Sequence, residues 1–236
     1  VNSHYHEDHI RGNQVFSPDV DIISTVWTRD AITQKEPEEI KSEKETVPRE
    51  IIEAQSKLDV EKDPKRRREL ALSIVYYRAM IESHPQLKTR LPNITFEHKL
   101  VIHGTHRTVE LLPFVGHTAS DTVLFLPEQK VAFLGDLLFI NIHPYLASGF
   151  PDQWKRSLSK VEALGVQTVV PGHGPVGRST DLPLMTQYIQ SLQEIAVNVV
   201  KAGESIEKVS LQPIPPPFNS WLQPFDNFFV ANLEFL

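Results

Sequence analysis

Three histidines and two carboxylates, Glu7 and Asp8, fall within the six residues His4–His9, close to the start of the chain. Imidazole and carboxylate groups without thiolate suit zinc, iron or manganese. At the end of a strand alternate residues share one face, so His4, His6 and Asp8 can converge and a turn can add His9. A metal ion would require the fold to bring further donors to this point. Taken alone, the cluster is also compatible with an exposed loop that binds metal adventitiously.

Three further residues of the ligand type follow glycines where strands are predicted to end. They are His117 after Gly116, Asp136 after Gly135, and His173 after Gly172. Strand ends and the loops that follow them are where α/β and sandwich folds gather their binding sites. A lone histidine or aspartate at such a position is more often structural. Three of them after the histidine cluster favour one shared site.

The pattern of apolar residues predicts an α/β chain. Alternating or continuous apolar runs predict strands at Val20–Val26, Thr122–Leu126, Val131–Leu134 and Thr168–Val170, and a hairpin at Ile94–Phe114. Apolar residues at helical spacing predict a helix around Trp154–Leu164, ended by Gly165, and a long amphipathic helix around Met185–Val199.

Residues 35–92 differ from the rest of the chain in charge, since 25 of these 58 residues are charged. A helix is predicted from Pro48 to about Leu58. A second begins at Asp63-Pro64 and carries the apolar stripe Leu70, Ile74, Tyr77 and Ile81. We therefore expect a charged helical insertion that lies over or beside the metal site as a lid, with Tyr76 or Tyr77 reaching the pocket.

Composition excludes several classes of function. The 236 residues are 40% hydrophobic and 23% charged, enough for a folded core. The net charge of −6 gives no sign of nucleic-acid affinity, and the absence of cysteine excludes disulfides and thiol nucleophiles. The proline-rich C-terminal segment 209–236 contains no candidate membrane helix. We expect a small-molecule substrate and no nucleic-acid or membrane partner; the compartment and oligomeric state stay open.

The order of these residues resembles the metallo-β-lactamase superfamily of hydrolases, along most of the chain from His4 to His173 and weakly beyond. The resemblance implies an αββα sandwich in which residues 1–236 form one domain. It also implies that the family's first strands precede Val1, so we expect an N-terminally truncated piece of a longer protein. By the same resemblance two metal sites would be held by His4, His6 and His117, by Asp8, His9 and His173, and by a bridging Asp136.

The ligand set also implies a branch of the superfamily and a reaction. The best-known zinc β-lactamases carry cysteine where this chain has Asp136, whereas an aspartate resembles glyoxalase II and the lactonases. His6 stands where diiron oxidases have glutamate, which favours two Zn²⁺ per chain, with Fe or Mn as alternatives. The resemblance implies a dinuclear-metal-bound hydroxide that cleaves an ester, thioester, lactone or amide bond, with Asp8 handling the proton. The alternatives are a mononuclear iron sulfur dioxygenase and a non-catalytic fragment.

Three residues near these motifs have two interpretations each. Asp121 either orients a ligand histidine or lies in a solvated loop. His143 and Tyr145 either line the substrate pocket or belong to a surface loop.

Overall fold

The computed structural model describes residues 1–203, 208, 211–223, 225 and 228–236. These residues form an α/β fold, as predicted. The helices are α1 (Glu7–Ile10), α2 (Val26–Val60), α3 (Pro64–Ser83), α4 (Pro151–Ala163), α5 (Asp181–Lys201) and α6 (Phe228–Phe235). The strands are β1 (Ile23–Thr25), β2 (Ile94–Phe96), β3 (Leu100–His103), β4 (Thr108–Phe114), β5 (Asp121–Leu126), β6 (Val131–Phe139), β7 (Thr168–His173) and β8 (Gly177–Arg178).

Two parts of the predicted organisation need a further statement. Of the proline-rich segment 209–236, residues 209, 210, 224, 226 and 227 lie outside the described residues. Within the part of the chain that the structure describes, no helix combines the length and the apolarity that a membrane span requires.

Strands β3 to β8 form a six-stranded sheet in the order of the sequence, and β1 and β2 pair in parallel as a separate sheet. Within the larger sheet β6 and β7 are parallel, and the other neighbours are antiparallel. The predicted hairpin at Ile94–Phe114 is therefore wrong at its start. The Asn93 amide donates a hydrogen bond to the Ile22 carbonyl at 2.9 Å. The next three residues, Ile94–Phe96, therefore pair with β1.

The main core lies between the six-stranded sheet and helices α4 and α5. Trp154 and Leu158 of α4 and Met185 and Ile189 of α5 are at most 1% exposed, against strand residues such as Leu134. The two predicted amphipathic helices are thus confirmed. Their burial stabilises the sheet from one side and leaves its loops free to carry the site.

The first predicted strand is shorter than expected, because a helix cap interrupts it. The hydroxyl of Thr25 accepts a hydrogen bond from the Thr28 amide at 3.1 Å, so α2 begins directly after β1. The same hydroxyl is 2.8 Å from Ser120 Oγ, in the loop before β5. This contact joins the two sheets.

The charged segment forms two long helices, of which only the first is longer than predicted. Helix α2 is continuous through Pro37 and Pro48, so the predicted start at Pro48 is wrong. Each proline removes a backbone hydrogen bond, but packing of the flanking turns sustains the helix. The start of α3 is as predicted, since Asp63 caps it by accepting from the Lys65 amide at 2.7 Å. A small apolar cluster of Ala54, Leu70 and Ile74 joins the helices.

Candidate metal centre

The histidine cluster lies in a loop and a short helix, and the predicted strand end is wrong. The chain is tied down by hydrogen bonds from Asn2 N to Ile23 O at 2.9 Å and from Thr122 N to Ser3 O at 2.7 Å. It then turns into α1, whose first turn holds Glu7 and Asp8. Acidic residues stabilise a helix N-terminus, which favours this local structure. The loop carries His4 and His6, and α1 carries Asp8 and His9.

His117 follows β4, where the sequence predicts it, on a turn fixed by Asp121. The Asp121 carboxylate accepts hydrogen bonds from the Thr118 amide at 3.1 Å and from the Thr118 hydroxyl at 2.9 Å. Burial raises the pKa of Asp121 to about 7. On its other side the His117 ring packs on Trp154, with ring centroids 5.3 Å apart. Asp121 therefore positions His117 through the backbone of the turn.

Asp136 lies inside β6, which continues to Phe139, so its predicted place at a strand end is wrong. The register of β6 against β7 shifts around Gly135, whose φ is +53°. A Cβ on Gly172 in β7 would collide with Asp136 Oδ1. Glycine at this point thus lets the carboxylate lie across the neighbouring strand.

Three histidines form a first group of donors. His6 Nδ1 is 3.0 Å from His4 Nε2 and 2.9 Å from His117 Nε2. Nitrogen ligands at about 2.0–2.1 Å in tetrahedral zinc sites are themselves about 3.3 Å apart. The spacing of these three nitrogens therefore fits a metal ion.

A second group consists of Asp8, His9 and His173, the last residue of β7. Asp8 Oδ2 is 3.3 Å from His9 Nε2 and 3.1 Å from His173 Nε2, and the two imidazole nitrogens are 3.4 Å apart. The His173 ring is held by stacking on Phe139 at 5.2 Å. These distances fit a second metal ion by the same criterion.

Asp136 lies between the two groups. Its Oδ2 is 3.5 Å from His117 Nε2 and 3.4 Å from His173 Nε2, and its Oδ1 is 3.1 Å from His9 Nε2. Oδ1 is nevertheless buried and makes no hydrogen bond of acceptable geometry with any described residue. Such an acceptor is costly unless another group satisfies it. The seven predicted residues are therefore brought together around one carboxylate that could contact two ions.

The protonation states of the two groups differ. Burial lowers the pKa of His6 to about 3 and that of His117 to about 4, so both imidazoles are neutral, as metal ligands must be. Burial also opposes charge on His9 and His173, but the carboxylates of Asp136 and Asp8 outweigh it and raise their pKa values to about 10 and about 9. In the second group, protonated imidazoles thus balance the charge of the carboxylates, as a bound metal cation would otherwise do.

A cavity of about 560 Å³ opens beside the donors and is closed on its other side by α2 and α3. Tyr76 and Tyr77 both line it, which confirms that the charged helical segment lies against the site. Tyr145 also lines it. His143 was predicted to line the pocket or to lie in a surface loop, and both predictions are wrong. Its side chain is fully buried and bonds Tyr188 Oη at 2.9 Å and the Phe218 carbonyl at 3.1 Å. It belongs to the core.

Sequence reasoning missed the residues that support the donors. Ser3 Oγ lies 3.1 Å from His4 Nδ1, which fixes the ring that presents Nε2 to the cluster. Arg11, just after α1, binds Glu36 Oε1 and Glu43 Oε1 on α2, each at 2.9 Å. Ser3 could have been found by its position next to His4. The ion pairs join residues far apart in a charge-rich stretch, where no pattern marks them.

Comparison with known proteins relates the chain to a family. The family model described as the metallo-beta-lactamase superfamily matches residues 1–173. A beta-lactamase-like protein 2 homolog of Caenorhabditis elegans is 26% identical over 110 residues, which cover 44% of this chain and 34% of that protein. The match thus spans about a third of the curated relative.

Solved structures share the fold at low identity. A metallo-beta-lactamase from Pontibacter korlensis superposes with a TM-score of 0.54 at 17% identity, covering 80% of this chain and 67% of that one. DIM-1 metallo-beta-lactamase exposed to ceftazidime gives a TM-score of 0.50 at 17% identity, with 80% and 66% covered. At this identity the likeness concerns the fold alone.

Proposed function

The chain belongs to the metallo-beta-lactamase superfamily, and from this premise we propose that it is a metal-dependent hydrolase of an ester, thioester, lactone or amide bond. The observation that carries the proposal is the place of Asp136, whose two oxygens lie within 3.5 Å of imidazole nitrogens from both donor groups. A buried carboxylate shared in this way fits two adjacent cations better than it fits a structural role.

The proposed assignment follows the two donor groups. The first metal would be held by His4, His6 and His117, the second by Asp8, His9 and His173, and the Asp136 carboxylate would contact both. Zinc is the ion that this nitrogen-rich set favours, with iron or manganese as alternatives. The completeness of the second group supports a dinuclear hydrolase over a mononuclear iron dioxygenase. When bound, such ions lower the pKa of water to near neutrality and polarise the scissile carbonyl.

The protein's own residues position the donors, accept a proton and exclude water from the cavity. The side chain of Asp8 is 29% exposed and faces the cavity, so its carboxylate can accept the proton of the attacking water. Ser3 holds His4, and Asp121 holds the turn that carries His117. Helices α2 and α3 cover the cavity, which shields the reacting bond from bulk water.

The test combines metal content with hydrolysis. We expect about two zinc ions per chain, loss of hydrolysis on chelation, and recovery with zinc. Asp136→Ala should weaken both sites together, whereas His173→Ala should empty mainly the second. The matched control is His98→Ala, because His98 is exposed and lies outside the donor groups. Undiminished hydrolysis by thoroughly metal-free protein would contradict the proposal.

A further inference from the structure

We propose that the site accepts an uncharged substrate with an apolar acyl or aryl group and rejects substrates that carry an anionic charge on that group. This inference rests on the proposed hydrolase function and names its substrate class. It is carried by two independent properties of the cavity beside the donors, its apolar walls and the sign of its charged groups.

The walls of the cavity away from the donors are largely apolar. Helix α3 contributes Leu72, Tyr76 and Met80, and the apolar lining also includes Phe139, Tyr145 and Phe225. Tyr76 and Phe225 are neighbours in the wall, with ring centroids 4.8 Å apart. A volume of about 560 Å³ lies in the range of small-molecule sites. Burial of an alkyl chain or an aromatic ring against these side chains would drive binding.

Apart from the imidazoles of the donors, the charged groups of the cavity are all acidic. Among the described residues that line the cavity there is no lysine or arginine. Six of the lining residues carry carboxylates: Glu7, Asp8, Glu43, Glu50, Glu69 and Asp136. Asp8 and Asp136 belong to the donors, whereas the other four carboxylates do not. A carboxylate or phosphate on the substrate would lose water here and meet charges of its own sign.

The basic residues nearest to the cavity are already engaged. Arg11 binds Glu43 at 2.9 Å from outside the lining, and Arg66 binds Glu69 Oε2 at 3.2 Å. These pairs reduce the negative charge of the wall but present no cation to the interior. Away from the donors, an anionic group on the substrate therefore finds no cationic partner among the lining residues, whereas a neutral apolar group needs none.

The first experiment measures binding without metal, so that a ligand carboxylate cannot bind to zinc. Octanamide, acetamide and the monoamide of octanedioic acid are titrated into the metal-free chain by ligand-observed NMR. We expect octanamide to bind about tenfold or more tightly than either of the others, because only it has a long chain without a charge. Equal affinities of octanamide and its carboxylated analogue would overturn the inference, as would binding of acetamide as tight as that of octanamide.

A matched pair of variants tests the location. Leu72 lines the cavity and is 52% exposed, while Val75 on the same helix is 65% exposed and outside the lining. Leu72→Lys should improve binding of the carboxylated amide relative to octanamide by about fivefold. Val75→Lys adds the same charge and should leave the ratio unchanged. An equal shift in both variants would show a general effect of charge and contradict the proposed site.

The second experiment uses the zinc-loaded chain and the corresponding 4-nitrophenyl esters. We expect the same order in kcat/KM, with the octanoate ester about tenfold or more above its carboxylated analogue. Preference for the carboxylated ester would overturn the inference. Absence of hydrolysis for every ester, with selective octanamide binding retained, would contradict the hydrolase function and support the binding preference.

Discussion

The hydroxyl of Tyr76 donates a hydrogen bond to Glu7 Oε1 at 3.1 Å. Tyr76 lies on α3, and Glu7 stands between the donors His6 and Asp8 in the sequence. The helix that covers the cavity is thereby connected to the backbone that carries the metal donors. A displacement of α3 would therefore also change the position of α1.

This contact predicts energetic coupling between the two side chains. In a double-mutant cycle of Glu7→Ala and Tyr76→Phe, we expect a coupling of about 1 kcal/mol in the free energy of unfolding, the usual value of such a hydrogen bond. Urea unfolding of the metal-free variants measures it. Strict additivity of the two single changes would show that the hydrogen bond does not hold the helix.

The close approach of β7 to Asp136 predicts that Gly172→Ala is severe at the site. The new methyl group must displace the carboxylate, so we expect metal affinity and hydrolysis to fall by about 100-fold, as when an essential contact near a ligand is lost. Gly12→Ala is the control, because a Cβ there meets no atom within 4 Å. Calorimetric zinc titration compares the two, and equal affinities would contradict the crowding at Gly172.

His143 predicts a pH dependence of stability. Burial lowers its pKa to about 4 in the folded protein, against about 6.5 when unfolded. Between these values the unfolded chain binds more protons, so the unfolding free energy falls as the pH decreases. From about pH 7.5 to about pH 5 this loss amounts to about 2 kcal/mol.

The variant His143→Gln isolates that contribution. It removes the titrating group and keeps an amide that can donate to the Phe218 carbonyl. The difference in unfolding free energy between wild type and variant should therefore shrink by about 2 kcal/mol over this range, while the other histidines titrate in both proteins. A difference independent of pH would show that the buried ring is not neutral.

Arg11 predicts a large loss of stability on truncation. It neutralises Glu36, which is 1% exposed, together with Glu43. Arg11→Met leaves the buried carboxylate of Glu36 without its cation, so we expect destabilisation by about 3–5 kcal/mol. Partial recovery in Arg11→Met combined with Glu36→Gln would identify the unpaired charge as the cause.

The control for Arg11 is Arg78→Met, an identical substitution at an exposed position of α3. Its effect on the unfolding free energy should stay within about 0.5 kcal/mol. Thermal and urea denaturation of both variants provide the comparison. Similar losses at the two positions would contradict a special role of Arg11.

The donor residues could be predicted from sequence because their chemistry is local. Imidazoles and carboxylates beside glycines can be recognised in a sequence whatever the exact secondary structure is. His117 and His173 could therefore be predicted as donors. Asp136 could be predicted too, although its strand continues to Phe139. The helix through Pro48 could not be predicted, because its stability comes from tertiary contacts such as those of Arg11. The core position of His143 likewise depends on Tyr188 and Phe218, which are distant in the sequence.

Strands β1 and β2 are hydrogen-bonded neighbours, with Ile23 paired to Ile94. Helix α2 starts directly after β1, and α3 ends shortly before β2. Both ends of the segment that contains α2 and α3 therefore connect to the fold at the paired strands β1 and β2. None of the seven donors belongs to this segment. Grafting a different helical hairpin between these strands, with the contacts to Glu7 and Arg11 retained, would exchange one wall of the cavity without replacing any donor. In evolution as in engineering, this junction allows the wall to change while the donor set stays the same.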